Sequence, residues 1–220
     1  MTIKTDSSGR VLVVSGMWPR KSNPISGVFV VQKVSALARQ GVPVTVIVPA
    51  PVFPGDDYVL DERDCALPAR VEIIDAPVAR VPGALAALPG CTGVNAGMNG
   101  RGIARILRNS RTSFTACIVH GLRYTGLGVP YWKEHIKGKV AIVLDGVDPF
   151  FGMSSYNVGQ SRRSLRAAFD CADTIALVGS PLRQYASKLG APPRKRQWSS
   201  TEPTCHPSQR HDDRSPLDGL

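Results

Sequence analysis

The chain has 220 residues, 43% of them hydrophobic, enough for one ordinary core and little else. Its net charge of +10 favours anionic partners such as a lipid surface or phosphorylated small molecules. Aromatics make up only 6% and are not interleaved with the basic residues, which argues against nucleic acid.

The five cysteines (Cys65, Cys91, Cys117, Cys171, Cys205) lie far apart with no C-x-x-C pair, so neither a disulfide framework nor a zinc site is suggested. That usage fits a reducing cytoplasm. The N-terminus has no leader-like apolar region, and no apolar run approaches the roughly 18 residues of a membrane span, so a soluble or peripheral chain is expected.

RVLVVS (10 to 15) is a short apolar run of buried-strand type, followed by the Pro- and Gly-rich loop GMWPRKSNPISG. In the next segment Val30, Val34, Leu37 and Ala38 recur at helical spacing, and Gly41 makes a stop. VTVIV (44 to 48) is again wholly apolar, so the first 50 residues form a βαβ unit with strands buried on both faces. RVEIID (70 to 75) reads as a third strand, and a Pro/Gly/Ala-rich stretch then runs to about Gly100. Over 98 to 111, Ile103, Ile106 and Leu107 oppose Arg101, Arg105 and Arg108, the pattern of an amphipathic helix with a basic face. TACIVHG (115 to 121), KVAIVLDG (139 to 146) and TIALVGS (174 to 180) are three more strands. In SPLRQYASKLG, Ser180 can cap a helix, Pro181 suits its first turn and Gly190 can close it. The fold class is α/β: a Rossmann-like open parallel sheet with helices on both faces.

Ligands of such sheets bind beyond the carboxyl ends of the strands, which singles out four places. Gly27 opens a helix and could let the backbone approach a phosphate, or could simply start the helix. His120, with Arg123 and Tyr124 behind it, could transfer a proton or bind a hydroxyl, or be a hydrogen-bonded structural residue. Asp145, with Asp148 three residues on, could serve as a general base or hold sugar hydroxyls, or reflect turn chemistry. Ser180 reads as a helix cap. No G-x-G-x-x-G fingerprint is present, which removes support for a dinucleotide oxidoreductase. The arginine groups Arg101, Arg105, Arg108, Arg111 and Arg162, Arg163, Arg166 are either solvated helix faces or a contact for an anionic membrane.

The ordered blocks RVLVVSGMWPRKSNPISGVFVVQKVSALARQGVPVTVIVP, IVHGLRYTG, VAIVLDGVDP and ADTIALVGSPLRQYASKLG resemble the N-terminal domain of retaining family 4 glycosyltransferases of GT-B fold, over about residues 10 to 193. The resemblance implies one half of a GT-B architecture: two Rossmann-like domains facing a cleft, with a carbohydrate or lipid-linked acceptor mainly on the N-terminal one and the nucleotide-sugar donor mainly on the other. It implies no metal and no cofactor beyond that donor substrate. It places Gly27 near the donor diphosphate, puts His120, Arg123, Tyr124 and Asp148 on the acceptor side, and makes Asp145 the catalytic position. The family usually has histidine where this chain has Asp145; a carboxylate accepts a hydrogen bond from a hydroxyl but cannot donate as neutral imidazole can. The implied process is cell-envelope or exopolysaccharide synthesis, in the cytoplasm or peripherally on the inner face of the plasma membrane. The oligomeric state stays open.

The expected organisation is a flexible N-terminus (1–9), the glycosyltransferase-like domain (10–193) and a tail (194–220) that is disordered or out of frame. The tail, RKRQWSSTEPTCHPSQRHDDRSPLDGL, carries five basic and four acidic residues, a net of +1, which leaves +9 on residues 1–193. It lacks periodicity and reads either as a native linker or as the product of a frame shift near Pro193. Read one base out of frame, residues 197 to 204 allow the string VVVNGAD, which resembles the strand with which the family opens its donor domain. We expect the frame shift, and with it a chain inactive by itself. A non-catalytic binding or membrane-docking module and a sugar-nucleotide epimerase-like protein are the alternative readings.

Overall fold

A computed structural model describes residues 9–19, 24–51, 67–81, 90–123, 125–144, 159–179 and 181–199. Seven strands of the described residues form one sheet: β1 (Arg10–Ser15), β2 (Val44–Pro51), β3 (Val71–Val78), β4 (Phe114–His120), β5 (Lys139–Leu144), β6 (Thr174–Val178) and β7 (Arg196–Ser199). Their order is β3-β2-β1-β4-β5-β6-β7, and every pairing is parallel. The apolar runs of the sequence account for this. Leu12, Val13, Val14, Val46, Ile47, Val119 and Ile142 are buried, as strands covered on both faces require. The result is the Rossmann-like α/β fold that the alternation of strand and helix signals implies.

Among the described residues, four α-helices connect the strands: α1 (Val28–Arg39), α2 (Cys91–Asn109), α3 (Gly159–Cys171) and α4 (Pro181–Lys188). Helix α1 turns Val30, Val34 and Ala38 inward, and Val30 and Val34 meet Trp18, Val13, Val44, Val46 and Val48 in one apolar cluster. The larger cluster joins α2 and α3, through Ile103, Leu107, Leu165 and Phe169, to the central strands and to Leu127, Val129 and Trp132. Arg101, Arg105 and Arg108 on α2 and Arg162, Arg163 and Arg166 on α3 are exposed, so each helix carries a basic outer face.

Two elements differ from the sequence expectation. Helix α2 begins at Cys91, well before residue 98, and Thr92, Asn95, Ala96 and Asn99 in its first half are buried. The small residues there permit close packing: a β-carbon on Gly100 would lie 2.7 Å from the Gly128 carbonyl oxygen, and one on Gly97 would lie 3.0 Å from the Tyr131 hydroxyl. Strand β7 falls in the stretch read as an aperiodic tail. It pairs with β6 from Ile175–Arg196 to Val178–Ser199. The Lys195 ammonium helps fix the segment before it, donating to the carbonyls of Phe169 (3.0 Å) and Asp170 (2.6 Å) near the C-terminus of α3.

At the amino ends of the strands, Asp173 accepts from the Val140 amide (2.8 Å) and pairs with Lys133 (3.2 Å). Burial pushes its carboxyl group up, but the Val140 amide, the Lys133 hydrogen bond and the charges of Lys133 and Lys195 outweigh that and hold it below its ordinary value. Burial pushes the Cys117 thiol well above the usual range, against a smaller opposing effect of Lys133. No helix among the described residues is long and apolar enough to cross a membrane.

Candidate functional site

The strand order reverses at the centre of the sheet: from β1 the chain proceeds outward through β2 and β3, then returns to add β4 on the other side of β1. The carboxyl ends of β1 and β4 therefore flank the crevice where ligands of open α/β sheets bind. The register sets Ser15, the last residue of β1, beside His120, the last residue of β4.

Both strand ends are fixed by short-range polar contacts. The Ser15 hydroxyl donates to the Met17 carbonyl (2.8 Å) and accepts from the Met17 amide (3.1 Å), which folds the chain back as it leaves β1. On the β4 side, the Thr125 hydroxyl donates to the carbonyls of His120 (2.8 Å) and Gly121 (3.1 Å) and closes the turn after the strand. Ser15, His120 and Thr125 are all buried, and the bond from Thr125 to the His120 carbonyl forms out of competition with water.

The loop from β1 reaches α1 through Gly27, whose φ of 74° and ψ of 13° are left-handed. A β-carbon there would lie 2.2 Å from the Met17 carbonyl oxygen, 2.5 Å from the Met17 carbonyl carbon and 2.8 Å from the Trp18 amide nitrogen. Glycine is thus required by the close passage of the protein's own backbone. The Gly27 carbonyl accepts from the amides of Val30 (2.8 Å) and Val31 (3.1 Å). The first-turn amides of Val28 and Phe29 precede the i→i−4 ladder, and no acidic residue occupies that turn, so the helix end retains its partial positive character.

Phe29 links the two halves of the site. Its ring meets the His120 imidazole edge-on, with centroids 6.0 Å apart and planes inclined by 65°. The Lys33 ammonium lies 5.5 Å from the Phe29 ring centroid. The start of α1 and the end of β4 are therefore in contact, and Gly27 and His120 belong to one region of the carboxyl edge.

Of the other residues singled out from the sequence, Arg123 lies partly buried in the turn after β4. Tyr124, Asp145, Asp148 and Ser180 lie outside the described residues; Asp145 directly follows Leu144, the last residue of β5. Ser15, Phe29 and Thr125 were not legible as site residues. For Phe29 the one available signal was that it falls off the inward Val30–Val34–Ala38 stripe at a helix start. Among the described residues, no group of three or more His, Cys, Asp or Glu side chains could hold a metal ion.

No protein-family model matches the sequence, and no curated protein matches it either. Solved structures do match. The Arabidopsis thaliana protein UGT89C1, complexed with UDP, is similar with a TM-score of 0.52 at 16% identity, over 87% of this chain and 48% of that one. LpCGTa in complex with UDP gives 0.49 at 12% identity, over 86% and 53%. Anabaena Alr3699/HepE in complex with UDP and glucose gives 0.43 at 10%, over 86% and 44%. At these identities only the fold is shared, and of these three UGT89C1 alone has a TM-score above 0.5. The chain spans about half the length of these proteins.

Proposed function

We propose that residues 10 to 193, together with β7, form the acceptor-side half of a glycosyltransferase site of the GT-B kind, using a nucleotide-sugar donor. The observation that carries this reading is His120 at the β1/β4 reversal point, held against Phe29 at the start of α1. The fold shared with part of a UDP-complexed protein supports it.

In this reading the His120 imidazole accepts a hydrogen bond from an acceptor hydroxyl, and Arg123, Tyr124 and Asp148 serve as further acceptor-binding residues. Asp145, following β5, is the position for charge stabilisation or proton removal. The N-terminal turn of α1 beyond Gly27 faces the donor diphosphate with backbone amides and a positive helix end. Catalysis requires a second wall that binds the nucleotide-sugar, because proximity and electrostatic stabilisation both depend on holding donor and acceptor together. Membership of the retaining family 4 enzymes, a role in cell-envelope or exopolysaccharide synthesis, and peripheral contact of the basic helix faces with an anionic membrane complete the proposal.

The test is a ligand-observed NMR titration of the full chain with methyl β-D-glucoside, repeated with His120→Ala. Saturable binding that weakens at least tenfold in the variant is the expected result. Equal binding by the two proteins would remove His120 from the acceptor site.

A further inference from the structure

Helix α2 is built from two unlike halves. In the second, Ile103, Ala104 and Leu107 enter the main apolar cluster; in the first, over 91–100, Ala96 alone does. The other residues that the first half buries are Thr92, Asn95, Asn99 and the glycines Gly93, Gly97 and Gly100. Glycine is a weak helix former, and Gly90 before the helix supplies no side-chain cap. The Asn99 side chain is fully buried, yet neither its amide nitrogen nor its oxygen has a hydrogen-bond partner among the described residues, which makes docking of this half costly. What holds it down is polar and local. The Gly93 amide donates to the Ser161 hydroxyl at the start of α3 (3.3 Å), and the Asn95 side-chain oxygen accepts from the Val81 amide just beyond β3 (2.7 Å). Undocking the first half therefore exposes little apolar surface and relieves Asn99.

We propose that the first half of α2 is a latch. It undocks as a unit, hinged at Gly100 and Gly102 while the second half stays in the core, and the β1/β4 crevice is ready for its ligand only when the latch is docked. The link to the crevice is the 3-10 helix Gly126–Tyr131. Its backbone lies so close to the latch that a β-carbon on Gly128 would be 3.1 Å from the Ala96 carbonyl oxygen. At its start the amides of Gly126 and Leu127 donate to the carbonyls of Gly121 (3.2 Å) and Leu122 (2.9 Å), in the turn where Thr125 holds the His120 carbonyl. Undocking removes the support behind this short helix and loosens His120, so a ligand held by His120 favours the docked state. The coupling to a ligand rests on the acceptor-site reading above; the undocking itself does not.

Native-state hydrogen exchange on the full chain tests the latch, because an amide's protection reports the free energy of the opening that exposes it. Amides 95–100 should be less protected than amides 103–107 by about tenfold or more, and their exchange should respond less to urea, as an opening that exposes little surface requires. Asn99→Leu replaces the unpaired amide by an apolar group of similar size and should slow exchange at 95–100 and at 126–128 together, by about fivefold or more. Asn95→Ala, which removes the bond from Val81, should speed both and covers the case in which leucine does not fit. Saturating methyl β-D-glucoside should slow both in the wild type. Equal protection and equal urea response in the two halves of α2 would overturn the latch. So would exchange at 126–128 that follows 95–100 in neither variant. Saturable glucoside binding with unchanged exchange would overturn the coupling and leave the acceptor site standing. No glucoside binding would overturn the coupling and the acceptor-site reading together.

Discussion

Replacing Gly27 with alanine tests whether the loop between β1 and α1 is as tightly drawn as the geometry states. Gly190, which closes α4, supplies the control. The two glycines have similar left-handed backbones, with φ of 74° and 84°, so alanine incurs about the same conformational cost at each, about 1–2 kcal/mol. They differ in space. A β-carbon on Gly190 would meet nothing within 4 Å, whereas one on Gly27 would meet Met17 and Trp18 backbone atoms at 2.2–2.8 Å. Backbone cannot rotate away as a side-chain end can, so Gly27→Ala carries an added overpacking cost of about 1–3 kcal/mol. Urea unfolding followed by circular dichroism, at unchanged m, reads both variants. Gly190→Ala should cost about 1–2 kcal/mol and Gly27→Ala about 2–5 kcal/mol. For a chain of this size each kcal/mol corresponds to about 2–4 °C in Tm. Relief of the clash must displace either the Met17–Trp18 strand exit or the start of α1, so methyl β-D-glucoside binding should weaken in Gly27→Ala and not in Gly190→Ala. Equal destabilisation by the two substitutions would refute the close passage.

Lys195→Met removes an ammonium that donates to two carbonyls near the C-terminus of α3; the expected loss is about 1 kcal/mol by thermal unfolding. Faster hydrogen exchange at the amides of 196–199 should accompany it, and unchanged exchange there would show that β7 is held without the lysine. The native pKa of Asp173 is depressed, so its carboxylate contributes stability above the ordinary value of 3.8 and loses that contribution as pH falls through the native pKa. Asp173→Asn should therefore have a lower Tm than the wild type near neutrality and converge with it below pH 3.8. A Tm difference independent of pH would mean that neither the Val140 amide nor Lys133 favours the charged carboxylate in the native state.

The central strands and α1 were legible because parallel strands buried on both faces have few ways to be written. RVLVVS, VTVIV and KVAIVL are apolar throughout, and the helix stripe at Val30, Val34 and Ala38 has the right period. The first half of α2 was not legible, because CTGVNAGMNG packs by close approach of small residues, which leaves no apolar periodicity. Strand β7 was hidden for a different reason. Among the described residues RQWS is an edge strand, positioned by its hydrogen bonds to β6 and by the Lys195 contacts just before it. In the site, His120 could be found from the rule that ligands gather at strand ends. Its contact with Phe29 depends on which helix start reaches which strand end, a tertiary fact that no local pattern encodes.

The central claim is that the β1/β4 crevice is an acceptor site, and amide chemical-shift mapping with methyl β-D-glucoside tests it most directly. Saturable shifts should concentrate at Ser15–Trp18, at Val28 and Phe29, and at His120–Thr125, and should vanish in His120→Ala. Shifts confined to the arginine faces of α2 and α3, or no saturable shifts at all, would contradict the account.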